Sequence, residues 1–267
     1  MKKFFSYGYI FLVLAFIYIP IFILVFLSFN ANKTFVGFES YVFSLKWYLK
    51  LPEIKEAVTN TIVLALVSAT VSTILATLGA IGIFYSKGKL GKAVNGMSQI
   101  PVVNSEVVTA CALAMLLALA GLGHRTQFGL YVGHITLTVP FVVLSVIPKL
   151  KQMDGSMYEA ALDLGATPTQ ALFKVVLPEI LPGIFSGFML AITLSLDDYI
   201  ITATLAPLGY DTISTAVYKA IALTTEKASE QVPIYRALTT IIFLITVSVV
   251  VVMNIRAGKN SSAKRKV

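Results

Sequence analysis

The stretch 149-KLKQMDGSMYEAALDLGATPTQALFKVVLPEILPGI-184 lies between two long apolar runs and carries too many structural signals to be a simple tether. Met157 to Leu164 reads as a short helix with Glu159, Ala160, Ala161 and Asp163 on it. Gly165 supplies the left-handed residue that stops such a helix. Thr167-Pro168 opens a second one, with proline at its first position. Pro178 and Pro182 bracket the exit from that second helix into the next apolar run. The expectation is two short amphipathic helices on a membrane face, joined at a glycine turn.

Outside this segment the chain is mostly apolar. Of its 267 residues, 57% are hydrophobic and 13% charged, against about 25% charged in a soluble domain. The apolar runs are continuous rather than alternating, which points to membrane helices and not to a barrel. Six runs are long enough to span: 9–29, 57–85, 102–122, 128–148, 180–205 and 237–255. The fold class is therefore all-α: a polytopic membrane protein with six transmembrane helices in one domain, 1–267. The amino-terminal MKKFF and its apolar run have some features of a secretory signal. The run is longer than the usual ~7–15 residues of one, and SFNANK offers no small-x-small cleavage pair, so it reads as a retained first helix. The net charge of +8 is the cationic excess of a membrane protein's inner face rather than a nucleic-acid footprint. The single Cys111 forms no intrachain disulfide.

Orientation follows from Lys and Arg. With both termini inside, the inner segments hold 13 of the 21, chiefly in SKGKLGK (86–92), in the 149–184 stretch and in the tail GKNSSAKRKV. The segment 149–179 of that stretch is then cytoplasmic. Residues 30–56 and 206–236 form the outer loops, the second polar and without apolar periodicity. Trp47 and Tyr48 read either as interfacial anchors or as residues at the mouth of a pathway.

The fifth run contains 194-LSLDDYIIT-202. An aspartate at the centre of a membrane helix costs about 2.5–3.5 kcal/mol on insertion scales, and such residues face a bundle interior or a cavity. Asp197 lies roughly 22 Å along the helix from Pro182, in the outer part of the membrane. Successive helical positions are ~100° apart, so Asp197 and Asp198 do not share a face. One faces a central path while the other meets a neighbour, and Asp198 can equally pair with a cation of a second subunit. Glu106, nearer the cytoplasmic half, would mark a second height on the same route, or would satisfy broken backbone around Asn104 and Ser105. Tyr18 either lines the path or packs against the Pro20 kink. Tyr199 and Trp47 complete the candidate path as aromatic walls. His124 and His134 have no metal-ligand spacing and read as structural.

The 149–184 stretch resembles the EAA loop of ABC importer permeases. Glu159-Ala160-Ala161, Gly165 after three intervening residues, and Val176-Leu177-Pro178 carry that pattern. The resemblance implies a type I importer permease fold, with this segment as the coupling helix that docks in a groove of a cytoplasmic ATPase. Glu159, Ala160, Ala161, Asp163 and Gly165 would be the coupling residues. A narrower resemblance runs along most of the chain. YIPIFILVFLSFN (18–30), FSLKWY (43–48), GHITLTVPFVV (133–143) and LSLDDYIIT are similar to permeases of spermidine/putrescine importers.

The implied function is one half of a polyamine translocation path. The implied partners are an ATPase dimer, a second and similar permease, an extracytoplasmic polyamine-binding protein and membrane lipid, with no nucleic acid. The implied location is the bacterial inner membrane. ATP and Mg would be bound by the ATPase, leaving this chain without a cofactor or metal. The chain has no GxxxxGK[ST], HExxH, nucleophile elbow or GxGxxG, so it does not read as an enzyme acting alone. Two alternatives stay open at this level: another cargo such as ferric iron or sulfate, and a membrane assembly or signalling component without transport.

Overall fold

The computed structural model describes residues 2–33, 38–86, 96, 104–222, 231–248 and 251. The SKGKLGK connection from Lys87 on and the basic tail lie outside these. Among the described residues the structure is helical with no β-strand, apart from one isolated antiparallel bridge between Asn30 and Phe43. The helices are α1 (Lys2–Ser28), α2 (Lys46–Leu49), α3 (Lys55–Tyr85), α4 (Glu106–Leu119) and α5 (Gln127–Gln152). They continue with α6 (Gly155–Asp163), α7 (Pro168–Asp197), α8 (Ile200–Leu205), α9 (Ile213–Ala222) and α10 (Gln231–Ser248). Among the described residues, five segments are long and apolar enough to cross a bilayer: Tyr7–Ser28, Leu51–Tyr85, and α5, α7 and α10. The expected third span appears as α4, whose 14 residues cover about 21 Å of a hydrocarbon core near 30 Å.

The chain divides into two compact units, one formed by Met1–Lys55 with Val217–Val267 and the other by Glu56–Ala216. In the first, the most apolar stretch of α1 contains no buried residue. The chain then folds back on itself through polar and aromatic contacts. Ser28 Oγ and Tyr48 OH are 2.7 Å apart, and the ring of Phe29 stacks on those of Phe43 and Tyr48. The Trp47 indole N–H donates to the Asn30 carbonyl at 2.7 Å.

The core of the second unit is a three-helix contact. Ala69, Ala76 and Ala80 of α3, Val142, Val143, Val146, Ile147 and Leu150 of α5, and Val176, Ile180 and Ala191 of α7 form one buried cluster. Small residues on α3 and glycines on α7 let the backbones approach closely, which is how helices gain packing energy without a hydrophobic drive. A Cβ on Gly187 would sit 2.9 Å from Val142 Cγ1, and one on Gly183 would sit 2.6 Å from Lys149 Cγ. A second cluster joins α4 to α8 and α5 through Ala110, Leu117, Leu137, Ile201 and Leu205.

Three expectations change. The segment after Gly165 is not a separate short helix. It runs as α7 from Pro168 through a π-helical stretch at Leu172–Val176 and on to Asp197. Pro178 falls in the first turn after that stretch, where a proline's missing N–H is tolerated. The run 180–205 is not one helix either: α7 stops at Asp197, and Asp198 is extended (φ −62°, ψ 128°). The loop from 206 contains α9, an amphipathic helix tied to the bundle. Ile213 N–H donates to Thr61 Oγ1 at 2.8 Å, and Asn60 Nδ2 donates to the Asp211 carbonyl at 3.0 Å.

Candidate translocation and coupling sites

Asp197 and Asp198 fall at the helix break, and the break separates their roles. Asp197, the last residue of α7, is exposed. Asp198 is buried, at 6% exposure. Its Oδ1 accepts from Ile201 N–H at 3.2 Å, and its Oδ2 accepts from Thr202 N–H and Thr202 Oγ1, each at 2.9 Å. It therefore satisfies the orphan amides that open α8, the task of a capping carboxylate. A buried imidazole stands behind it. His134 on α5 places Nε2 3.0 Å from Thr202 Oγ1 and 3.5 Å from Asp198 Oδ2, with Nδ1 2.8 Å from Ser195 Oγ.

The path reading of Asp198 is corrected accordingly. Its oxygens are taken up inside the chain by the Ile201 and Thr202 amides and the Thr202 hydroxyl, with His134 of the same subunit behind them. Glu106 opens α4, is exposed, and lies within electrostatic range of both aspartates. Helix α4 runs alongside α8, and just beyond it Arg125 donates to the carbonyls of Ala206 and Ala203. Glu106 is therefore level with the break rather than at a separate, inner height. Tyr199 is half-buried beside it, and Tyr18 is exposed on α1. Trp47 is corrected as well: at 2% exposure, with its N–H bound to Asn30, it is a core residue of its unit and not an open wall. Lys46 Nζ lies 4.9 Å over its ring.

The coupling segment is held by a full set of caps. Asp154 accepts from Ser156 N–H at 3.0 Å at the start of α6, and this bond holds its carboxyl below the usual carboxylate range. At the other end Gly165 has φ +87°. Its N–H donates to the Leu162 carbonyl, and that of Ala166 to the Ala161 carbonyl, which is the Schellman pattern. Thr167 and Gln170 then form a capping box at the start of α7. Glu159, Ala160, Asp163 and Gly165 are exposed and Ala161 half-buried. Large apolar side chains stand out around them, with Leu164 at 89% and Phe173 at 59% exposure. Tyr158 meets the Tyr85 ring, at 5.3 Å between centroids, and joins the three-helix core.

Sequence reasoning missed the joint role of Ser195, Thr202 and His134. The signal was present: Ser195, Asp198 and Thr202 are polar residues at helical spacing in an apolar run, and GHITLT holds the opposing imidazole.

A family model for the inner membrane component of binding-protein-dependent transport systems matches residues 77–258. The chain belongs to that family. This permease is 30% identical over 265 residues to the spermidine/putrescine transport system permease protein PotC of Haemophilus influenzae, a match covering 98% of this chain and 100% of that one. It is 32% identical over 219 residues to the putrescine transport system permease protein PotI of Escherichia coli K12, covering 77% and 76%. Among solved structures it is similar to a chain of a bacterial ABC transporter involved in the import of the acidic polysaccharide alginate. There the TM-score is 0.73 with 16% identity, over 94% of this chain and 96% of that one. That likeness shows the fold. This chain is thus a multi-pass, inner-membrane permease, and its family is one of transport components rather than enzymes.

Proposed function

We propose that this permease forms half of the translocation path of an ATP-driven polyamine importer. The observation that carries the reading is the exposed Asp197 at the C-terminal end of α7, with Glu106 level with it. A helix C-terminus bears partial negative charge, and broken helices that aim this end at a cation recur in transporters. Two carboxylates and a dipole end suit a chain of ammonium groups. The half-buried Tyr199 adds an aromatic face, and cation–π contact adds ~0.5–2 kcal/mol. The names of the PotC and PotI relatives support this cargo class.

The partners are a similar second permease, a cytoplasmic ATPase pair and an external binding protein, with both of this chain's termini in the cytoplasm. The exposed Leu164 and Phe173 around the Gly165 turn are the apolar surface an ATPase groove would cover. ATP binding draws the two coupling helices together and favours the outward-open path. Hydrolysis releases them, a population shift driven by unequal binding to two states.

The test is ATP hydrolysis by the purified, reconstituted assembly with its binding protein. Spermidine or putrescine should stimulate it. Stimulation by ferric iron or sulfate instead would move the cargo, and no stimulation with no co-purifying ATPase would leave a non-transporting component.

A further inference from the structure

With a neutral His134 ring, the hydrogen bonds around it have one self-consistent direction. Thr202 Oγ1 gives its proton to Asp198 Oδ2 at 2.9 Å. A hydroxyl has one proton to give, so Thr202 Oγ1 meets His134 Nε2, 3.0 Å away, as an acceptor. Nε2 therefore carries the ring proton. Nδ1 of the neutral ring is then an acceptor, and Ser195 Oγ, 2.8 Å away, donates to it. The chain runs Ser195 to His134 to Thr202 to Asp198, each hydroxyl and ring N–H used once, with the carboxylate as terminus.

The links join different elements. Ser195 is in the last turn of α7, Thr202 in the first turn of α8, and His134 belongs to α5. The imidazole thus spans the break from both sides. The support behind it is rigid. The His134 carbonyl accepts from Thr138 Oγ1 at 2.8 Å, Thr138 bonds Ser72 of α3, and a Cβ on Gly133 would come within 2.6 Å of Ile201 Cγ2.

We infer that His134, as the neutral Nε2–H tautomer, is a positioning residue that locks the α7–α8 break and so fixes the direction in which Asp197 is presented. The cargo-facing role of Asp197 rests on the proposed polyamine reading; the lock itself does not.

The chain has two histidines, so His124→Gln leaves His134 as this subunit's only one. With ring-15N histidine introduced in this subunit alone of the assembled transporter, NMR should show one protonated nitrogen, assigned to Nε2. A doubly protonated ring or an Nδ1–H tautomer would overturn the inference. Uptake supplies the second readout. His134→Phe removes donor and acceptor together and should raise the half-saturating polyamine concentration about tenfold or more, as small misplacements of a positioned group do. His134→Gln keeps one donor and one acceptor and should recover most of that loss. Parental uptake by His134→Phe, or no recovery by His134→Gln in a normally inserted protein, would count against the lock. If Asp197→Asn transports normally while the tautomer and the His134 series behave as stated, the cargo role fails and the lock stands.

Discussion

Asp197 and Asp198 are adjacent in the chain and opposite in environment: the first is exposed at the end of α7, the second buried as the cap of α8. Removing Asp198 therefore leaves two amides and the Thr202 hydroxyl without their acceptor. Each buried orphan costs about 1–3 kcal/mol. Asp198→Ala should lower the unfolding midpoint sharply in detergent. Asp197→Asn should stay within about 0.5 kcal/mol of the parent, as exposed substitutions do, while reducing uptake. Equal stability losses in the two variants would contradict the assignment.

Gly165 sits at φ +87°, and a Cβ added there would meet nothing within 4 Å, so substitution is a backbone matter and not one of space. Gly165→Val should cost about 1–2 kcal/mol locally, distort the α6–α7 turn and abolish uptake while the protein still inserts. Gly165→Asn, which tolerates this conformation, should retain most transport. Uptake assays on membranes with matched protein levels separate these outcomes.

Gly133 provides the opposite case. A methyl there meets Ile201 and Leu205 side chains at 2.6 and 2.7 Å. Overpacking of this kind costs about 1–3 kcal/mol, so Gly133→Ala should destabilise. Gly79→Ala, with nothing within 4 Å, should be neutral or slightly stabilising in its helix. Thermal unfolding of the pair checks this.

The Asp154 cap gives the coupling helix a pH dependence of known sign. Its carboxyl is held below the usual range by the Ser156 amide. Its contribution is complete above the ordinary carboxylate value and is lost as pH falls through the lowered one. Hydrogen-exchange protection of the 155–158 amides, corrected for intrinsic rates, should fall over that acidic window. In Asp154→Ala it should be low at every pH.

Trp47→Phe removes the indole donor to the Asn30 carbonyl but keeps most of the buried ring. It should lower stability by about 1–3 kcal/mol and leave the order of preference among polyamines unchanged. A change in cargo preference would restore Trp47 to the path.

Much of this architecture was legible from residue pattern. Apolar run length located the membrane helices, and Gly165 with Thr167-Pro168 located the turn, because these signals are local. The break at Asp198 was not legible. In sequence, LSLDDYIIT continues a helical run, and the break appears only once His134, 61 residues from Ser195, is folded against it. Trp47 failed for a similar reason. An indole near a membrane end reads as an anchor until Asn30, 17 residues earlier, is seen to take its proton. The continuity of α7 was hidden by Pro178 and Pro182; a π-helical stretch stands just before the first, and the second lies within the regular helix.

That continuity has a mechanical result. The 30 residues from Pro168 to Asp197 make about 45 Å of helix, with the glycine turn at one end and the exposed acid at the other. Tilting such a rod by about 10° around its inner end swings the far end by about 8 Å, more than one helical pitch of ~5.4 Å. A small docking movement under the membrane would thus be magnified into a change of address for Asp197, with no wire of intermediate side chains required.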